Sequence, residues 1–179
     1  FLSKYLEPDY ETLLVGGPEE EGEDSSLYIP EGLGLKPRVL NQFQREINLK
    51  SDYAAYKEIK KIIREFKPDI VHTHASKAGA IGRLAAIDCN VPIIVHTFHG
   101  HVFHSYFGRL KTAFYKTIER YLAKHSTAIV AISNKQKQEL SEVFEIAPID
   151  KIAVVPLGFD LTRFTKNKEQ NRTEFREKY

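Results

Sequence analysis

The fold of this chain is decided by the run Lys67-Pro68-Asp69-Ile70-Val71-His72-Thr73-His74, in which a proline leads into a short apolar strand. Residues 52–66, just before it, carry apolar side chains at spacings of three and four, which predicts an amphipathic helix. Beyond the run, Ser76 is a candidate N-cap for a second helix. A buried strand between two helices is the repeating unit of a parallel sheet.

The same alternation of strands and helices continues to either side of this run. Residues 92–99 form a second apolar strand, and a longer helix is expected over 108–124. The apolar residues of that helix fall on one face: Leu110, Ala113, Phe114, Thr117, Ile118 and Tyr121. Ser133 is expected to cap a helix over 134–144. Strands are predicted near 12–15, 38–41, 69–73, 92–97, 127–132 and 152–155. We therefore predict an α/β fold with a mostly parallel sheet and helices on both faces.

Composition excludes several classes of protein. The chain has 179 residues, of which 42% are hydrophobic and 28% charged, an ordinary globular balance. A formal charge of +2, without clustered basic and aromatic residues, argues against nucleic-acid binding. The single cysteine, Cys89, excludes an internal disulfide and favours a reducing compartment. We therefore expect a cytoplasmic protein.

Histidines follow two of the predicted strands at the point where each strand ends. His72 and His74 close the first run, and His96 and His99 close the second. Ligands of open α/β sheets bind outside the carboxyl ends of the strands. We therefore expect these histidines to line one cleft. The pair His72-x-His74 would suit a metal, but no third ligand is placed to complete a site, so we expect neither a metal nor a cofactor.

The segment from Thr97 to Tyr106 combines histidines with aromatic residues. Gly100 would let a ligand approach the backbone closely, while His99 and His101 can form hydrogen bonds with hydroxyl groups. Apolar walls beside such groups suit a polyhydroxylated ligand such as a sugar. Phe98 is expected to pack in the core instead.

Other polar residues are expected at the same edge of the sheet. Lys77 lies just inside a helix N-terminus, where an anion would be stabilised, although a solvated lysine would have the same sequence pattern. Ser133 and Asn134 occupy the corresponding corner one strand further along, where capping alone would also explain the serine.

Four segments together resemble a known family. They are residues 67–74, residues 95–101, residues 129–133 and the run Val155-Pro156-Leu157-Gly158-Phe159-Asp160. In order and spacing they are similar to the N-terminal domain of GT-B glycosyltransferases, and more narrowly to the retaining group-1 enzymes that use nucleotide-sugar donors. The resemblance covers most of residues 12–165.

The resemblance implies a particular domain organisation. Residues 1–165 would be a Rossmann-like, acceptor-side domain whose first strand and glycine-rich loop are missing, and residues 166–179 would begin the interdomain linker. The C-terminal, donor-binding domain would be absent, so the chain should be inactive alone. In the complete enzyme a sugar would pass to a glycan or lipid-linked acceptor. His99 matches the family histidine that reaches the donor sugar; His72, His74, Lys77, Gly100, His101, Ser133 and Asn134 are expected to bind substrate by position only.

Two alternative functions remain open from the sequence. A GT-B-fold sugar-nucleotide 2-epimerase has a similar Lys-Pro-Asp strand entry, but it predicts a cleft rich in carboxylates. The other alternative is a non-catalytic sugar-binding domain. Peripheral membrane contact is a further option, because residues 103–116 mix Phe, Tyr, Arg and Lys as interfacial anchors do. A loop that covers a cleft would have the same composition.

Overall fold

The structure, a computed structural model, describes residues 2–19, 22–44, 46–100, 108–158 and 166–179. Within these ranges strands alternate with helices. The strands are β1 (Val15–Gly16), β2 (Arg38–Val39), β3 (Ile70–His74), β4 (Ile93–Phe98), β5 (Ala128–Ala131) and β6 (Ile152–Val154). The helices are α1 (Leu2–Tyr5), α2 (Tyr28–Gly32), α3 (Leu49–Phe66), α4 (Ser76–Asp88), α5 (Arg109–His125), α6 (Asn134–Gln138) and α7 (Lys168–Lys178), with a π-helical turn at Glu139–Val143 and a 3-10 turn at Ile149–Lys151.

Every strand pairing in the described chain is parallel. Strands β3, β4, β5 and β6 form a four-stranded sheet in sequence order, whereas β1 and β2 form a separate two-stranded sheet. The prediction of an α/β fold with parallel strands and helices on both sides is confirmed. The sequence suggested one continuous sheet. In the structure, β1 and β2 do not pair with β3, so the described strands form two sheets.

Side-chain caps start two of the described helices, α3 and α6. The Asn48 side chain accepts hydrogen bonds from the backbone N–H groups of Lys50 and Ser51, which starts α3. The predicted cap at Ser133 is confirmed, since its Oγ accepts from the N–H of Gln136 at 3.2 Å. The predicted cap at Ser76 is wrong. Helix α4 begins at Ser76 itself, and Ala75 occupies the cap position without a side-chain hydrogen bond.

Two buried clusters hold the helices on the sheets. Ile59, Ile62 and Ile63 of α3 pack with Ile81 of α4 and Ile94 of β4 in the first cluster. The second cluster lies around β5: Phe98, Ala123, Ile129, Ala131, Leu140, Phe144, Ile146, Ala147 and Ile152. Phe98 is therefore a core residue, as predicted.

Helix α5 buries a different face from the one marked by its large apolar residues. Leu110 and Phe114 are 90% and 62% exposed, and Tyr121 also faces solvent. The buried residues of the helix are instead Glu119, Leu122 and Ala123. An apolar stripe consequently runs along the outside of α5.

Candidate functional site

The candidate site begins on β3, whose side chains alternate between two environments. His72 and His74 lie on the exposed side of the strand, and Thr73 between them is buried. The parallel register places His72 beside Val95 and His74 beside Thr97 on β4. Because side chains alternate along a strand, both histidines face the same side of the sheet, near its carboxyl edge.

Three histidines come together at this edge. His74 Nδ1 lies 3.0 Å from His99 Nε2, and the rings of His72 and His74 are 4.4 Å apart between centroids. His72 Nε2 forms a hydrogen bond of 2.8 Å with Thr97 Oγ1. His99 follows directly after the last residue of β4. The histidines at the ends of β3 and β4 are therefore in contact with one another, as the sequence predicted for these two strand ends. This group is called the edge cluster below (His72, His74, His99).

Burial and mutual repulsion keep two members of the edge cluster uncharged. Partial burial, and then the charge of His99, lowers the pKa of His72 below its usual value. Burial, followed by the charges of His72 and His99, lowers the pKa of His74 to about 4. At neutral pH these imidazoles can donate and accept hydrogen bonds but carry no net charge. Such a surface suits the hydroxyl groups of a ligand better than a strong anion.

The backbone beside the edge cluster adopts an unusual conformation. Ala75, between His74 and the first residue of α4, has φ of 60° and ψ of 164°. Residues other than glycine rarely adopt this region, and where it persists the surrounding structure holds it in place, often at a functional site. The turn from β3 into α4 is therefore a second, independent mark of this corner of the fold.

His96 does not join the edge cluster, and the expectation that all four histidines share one cleft is wrong on this point. It lies within β4 on the opposite side of the sheet and is only 1% exposed. Helix α4 covers it so closely that a Cβ on Gly79 would lie 2.3 Å from its Cε1 atom. Burial is the main cause that lowers its pKa to about 2, with a further contribution from Arg83.

A buried polar network that the sequence did not predict surrounds His96. His96 Nδ1 contacts Thr73 Oγ1 at 2.9 Å, and Arg83 of α4 forms an ion pair of 2.7 Å with Glu119 of α5. Arg83 is completely buried, and its Nη1 atom has no hydrogen-bond partner among the described residues. These four residues are called the buried cluster below (Thr73, His96, Arg83, Glu119). The sequence carried no signal for Glu119, because the large apolar residues of α5 mark a different face of the helix.

Lys77 connects two helices. Its ammonium group forms an ion pair with Asp52 and a hydrogen bond with the carbonyl oxygen of Glu46, and its side chain is 19% exposed. It is therefore not a solvated lysine, since its charge ties the start of α4 to the start of α3. Its expected role in anion binding stays a prediction.

The remaining predicted residues lie at the same edge of the sheet or outside the described chain. Ser133 and Asn134 are exposed at the start of α6, directly after β5, the neighbour of β4. Among the described residues, none lies within contact distance of the position that a Gly100 side chain would occupy. His101 lies outside the described residues. Among the described residues, no group of three or more histidine, cysteine or acidic side chains is arranged to hold a metal ion.

Comparison with known sequences gives a consistent set of relatives. Residues 11–163 match the model of the family described as Glycosyltransferase Family 4. An Escherichia coli protein described as UDP-Gal:alpha-D-GlcNAc-diphosphoundecaprenol alpha-1,3-galactosyltransferase is 38% identical over 120 residues, which cover 67% of this chain and 31% of that protein. A Leuconostoc citreum protein described as UDP-N-acetylglucosamine--N-acetylmuramyl-(pentapeptide) pyrophosphoryl-undecaprenol N-acetylglucosamine transferase is 36% identical over 100 residues, which cover 52% of this chain and 26% of that protein. The matched regions thus span about a third or less of these relatives.

Solved structures are similar in fold. A glycosyltransferase from Rickettsia africae superposes with a TM-score of 0.72 at 23% identity, covering 98% of this chain and 44% of that one. A UDP-GlcNAc 2-epimerase from Neisseria meningitidis superposes with a TM-score of 0.56 at 18% identity, covering 82% of this chain and 40% of that one. At these identities the likeness establishes the fold alone.

Proposed function

This chain belongs to Glycosyltransferase Family 4, and from that premise we propose that it is the N-terminal part of an enzyme that transfers a sugar from a nucleotide-sugar donor to a lipid-linked acceptor. The observation that carries the proposal is the edge cluster. It places His99, the residue that matches the family's donor-sugar histidine, at the carboxyl edge of a parallel sheet and in contact with His74.

The domain organisation that we propose is the one expected from the resemblance. Residues 1–165 form an acceptor-side domain, residues 166–179 lead into a linker, and a second domain binds most of the donor.

The chemical role proposed for His99 is to bind the donor sugar. An imidazole nitrogen would form a hydrogen bond with a sugar hydroxyl and fix the position of the reacting carbon. Negative charge develops on the leaving nucleotide diphosphate during transfer, and groups of the second domain would stabilise most of it. The uncharged imidazoles of His72 and His74 are suited to the sugar, and the chain alone would bind without turnover.

The second candidate function, a sugar-nucleotide 2-epimerase, is supported by the fold of one solved neighbour. The sequence relatives favour transfer, since those named above are transferases. The edge cluster also consists of histidines, where the epimerase alternative predicts carboxylates.

One assay separates the two candidates. The complete protein is incubated with a tritium-labelled UDP-sugar and a diphosphoundecaprenol-linked sugar, and the label is followed into the lipid fraction and into the epimeric UDP-sugar. A transferase moves the label into lipid only when both substrates are present. Labelled epimer formed without acceptor, and no labelled lipid for any donor tested, would replace our proposal with the epimerase.

We further propose that α5 contacts the membrane that holds the acceptor. Leu110, Phe114 and Tyr121 form an exposed apolar stripe at helical spacing. The cationic residues Arg109, Lys111, Lys116 and Lys124 accompany the stripe, and the one acidic residue of the helix, Glu119, is buried against Arg83. Apolar side chains beside cations fit the interface of an anionic bilayer. No helix in the described part of the chain is long and apolar enough to cross a membrane. The contact that we propose is peripheral and lies at the cytoplasmic face.

Vesicle sedimentation tests the membrane contact. We expect the protein to sediment with vesicles that contain phosphatidylglycerol and to remain in solution with pure phosphatidylcholine. Phe114→Asp should abolish sedimentation, whereas Val143→Asp, at another exposed apolar residue (58%), should not change it. Equal sedimentation of the two variants would exclude α5 as the contact.

A further inference from the structure

We propose that His74 is a positioning residue for His99: its hydrogen bond selects one tautomer of His99 and so decides whether His99 presents a donor or an acceptor to the sugar. The inference rests on the proposed function, because it explains how His99 would act. From its position in the sequence, His74 was expected only to line the cleft.

The geometry of the two rings identifies the contact as a hydrogen bond. The nitrogens are 3.0 Å apart, the ring centroids are 5.2 Å apart, and the planes are inclined by 28°. When two rings meet edge to edge, each adds half a ring width between its nitrogen and its centroid. The centroids here are farther apart than the nitrogens by about one ring width, so the rings meet edge to edge and are not stacked. An N–H···N bond needs a proton on one nitrogen and a lone pair on the other. The tautomers of His74 and His99 are therefore coupled.

The coupling determines the nitrogen that remains for a ligand. Because Nε2 of His99 is engaged by His74, Nδ1 is the nitrogen that can face the sugar. If His74 donates, Nε2 of His99 is the acceptor and Nδ1 carries the proton; if His74 accepts, Nδ1 is the acceptor. In either case a single neutral tautomer is selected, where a free imidazole would exchange between two.

His74 is itself held in place. Its ring lies 4.4 Å from that of His72, and His72 is bonded to Thr97, which is 6% exposed. A chain of contacts thus leads from a buried side chain of β4 to His99, just beyond the end of that strand. Groups that are fixed before the substrate binds lose less entropy in reaching the reactive geometry.

The test uses two substitutions of His74 in the complete enzyme. His74→Phe keeps a ring but removes the nitrogen, and His74→Asn places an amide where Nδ1 lies. Transfer kinetics give kcat and KM for the donor, and nitrogen-15 spectra of labelled histidines report the tautomer of His99. We expect His74→Phe to lower kcat/KM about tenfold and to give mixed tautomers of His99, and His74→Asn to recover most of the activity. His125→Phe, at an exposed residue at the end of α5, is the matched control and should behave as wild type.

The outcomes separate this inference from the proposed function. If His74→Phe changes neither kcat/KM nor the His99 spectrum, His74 does not position His99. A loss of activity without a spectral change, not recovered by His74→Asn, would also overturn the inference. A changed spectrum in His74→Phe, together with full activity of His99→Ala, would uphold the positioning and refute the role of His99 in transfer.

Discussion

Strands β3 and β4 place histidines in two contrasting environments. The edge cluster is exposed, and its members contact one another and Thr97. The buried cluster, on the other side of the same strands, holds His96 beneath α4 next to the ion pair of Arg83 and Glu119. Histidine thus has two roles. In the buried cluster it fills space and forms a hydrogen bond with Thr73, and in the edge cluster its nitrogens are available to a ligand. Substitutions in the buried cluster should therefore change stability, and substitutions in the edge cluster should change binding.

The largest effect is expected when the buried ion pair is broken. Arg83→Ala leaves the carboxylate of Glu119 buried without its partner, and removing one member of such a pair typically costs about 3–5 kcal/mol. We expect a corresponding loss in the free energy of unfolding measured by urea denaturation. Arg83→Ala combined with Glu119→Leu should recover much of it, because no charge is then left buried. A single variant as stable as wild type would mean that the pair is not buried in solution.

Crowding beneath α4 should give the next largest effect. Gly79→Ala would place a Cβ 2.3 Å from the His96 ring, so the helix must shift or the ring must move. Overpacking of this kind costs about 1–3 kcal/mol, and we expect the upper end because both groups are buried. His96→Ala should relieve the clash, so that Gly79→Ala costs less in that background. Additive losses in the double-mutant cycle would show that the two residues are not in contact.

The sequence predicted the order of the strands and helices but not the side of the sheet that each histidine faces. Side chains alternate along a strand, so His72 and His74 face one side of β3, and Val71 and Thr73 face the other. Alternation alone does not say which of the two sides is exposed. The position of His96 near the end of an apolar run predicts a place at the edge. The register instead pairs it with the buried Thr73, which places it on the side of the sheet that α4 covers.

The buried ion pair and the outward face of α5 depend on tertiary contacts. Arg83 and Glu119 are 36 residues apart and are joined only when α4 and α5 lie side by side. In α5 the large apolar residues mark one face, yet the small Ala123 and the paired Glu119 are on the inner face. Hydrophobic periodicity measures amphipathicity and does not distinguish a core from an interface with another partner.

Removal of His99 should affect activity and leave stability unchanged. We expect His99→Ala to reduce kcat/KM for sugar transfer about tenfold to a hundredfold, the value of one hydrogen bond to the donor sugar. His125→Ala is the control, since His125 lies at the end of α5, before the start of β5, and should be nearly silent. Thermal melting is run in parallel. Equal activity of the two variants would refute the role of His99, and a large fall in Tm would make that residue structural.

The pH dependence of stability should reveal the buried histidine. The pKa of His96 is about 2 in the folded protein and about 6.5 when unfolded, so the unfolded state binds the proton first as the pH falls. Stability due to this group is complete above pH 6.5 and decreases below it, by about 2 kcal/mol between pH 7 and pH 5. His96→Leu should show a smaller decrease over that interval. Parallel stability curves for the two proteins would mean that His96 is accessible to solvent.

The smallest effect concerns the strained residue that joins β3 to α4. At φ of 60° and ψ of 164°, Ala75 occupies a region that glycine adopts without cost. Glycine also increases the freedom of the unfolded chain, which offsets part of the relief, so we expect Ala75→Gly to gain about 1 kcal/mol, or about 2–4 °C in Tm. Ala78→Gly, inside α4, is the matched control and should lose about 1 kcal/mol, because there glycine only weakens the helix. If Ala75→Gly is destabilised as much as Ala78→Gly, the turn beside His74 is not strained and no longer marks this corner as a site.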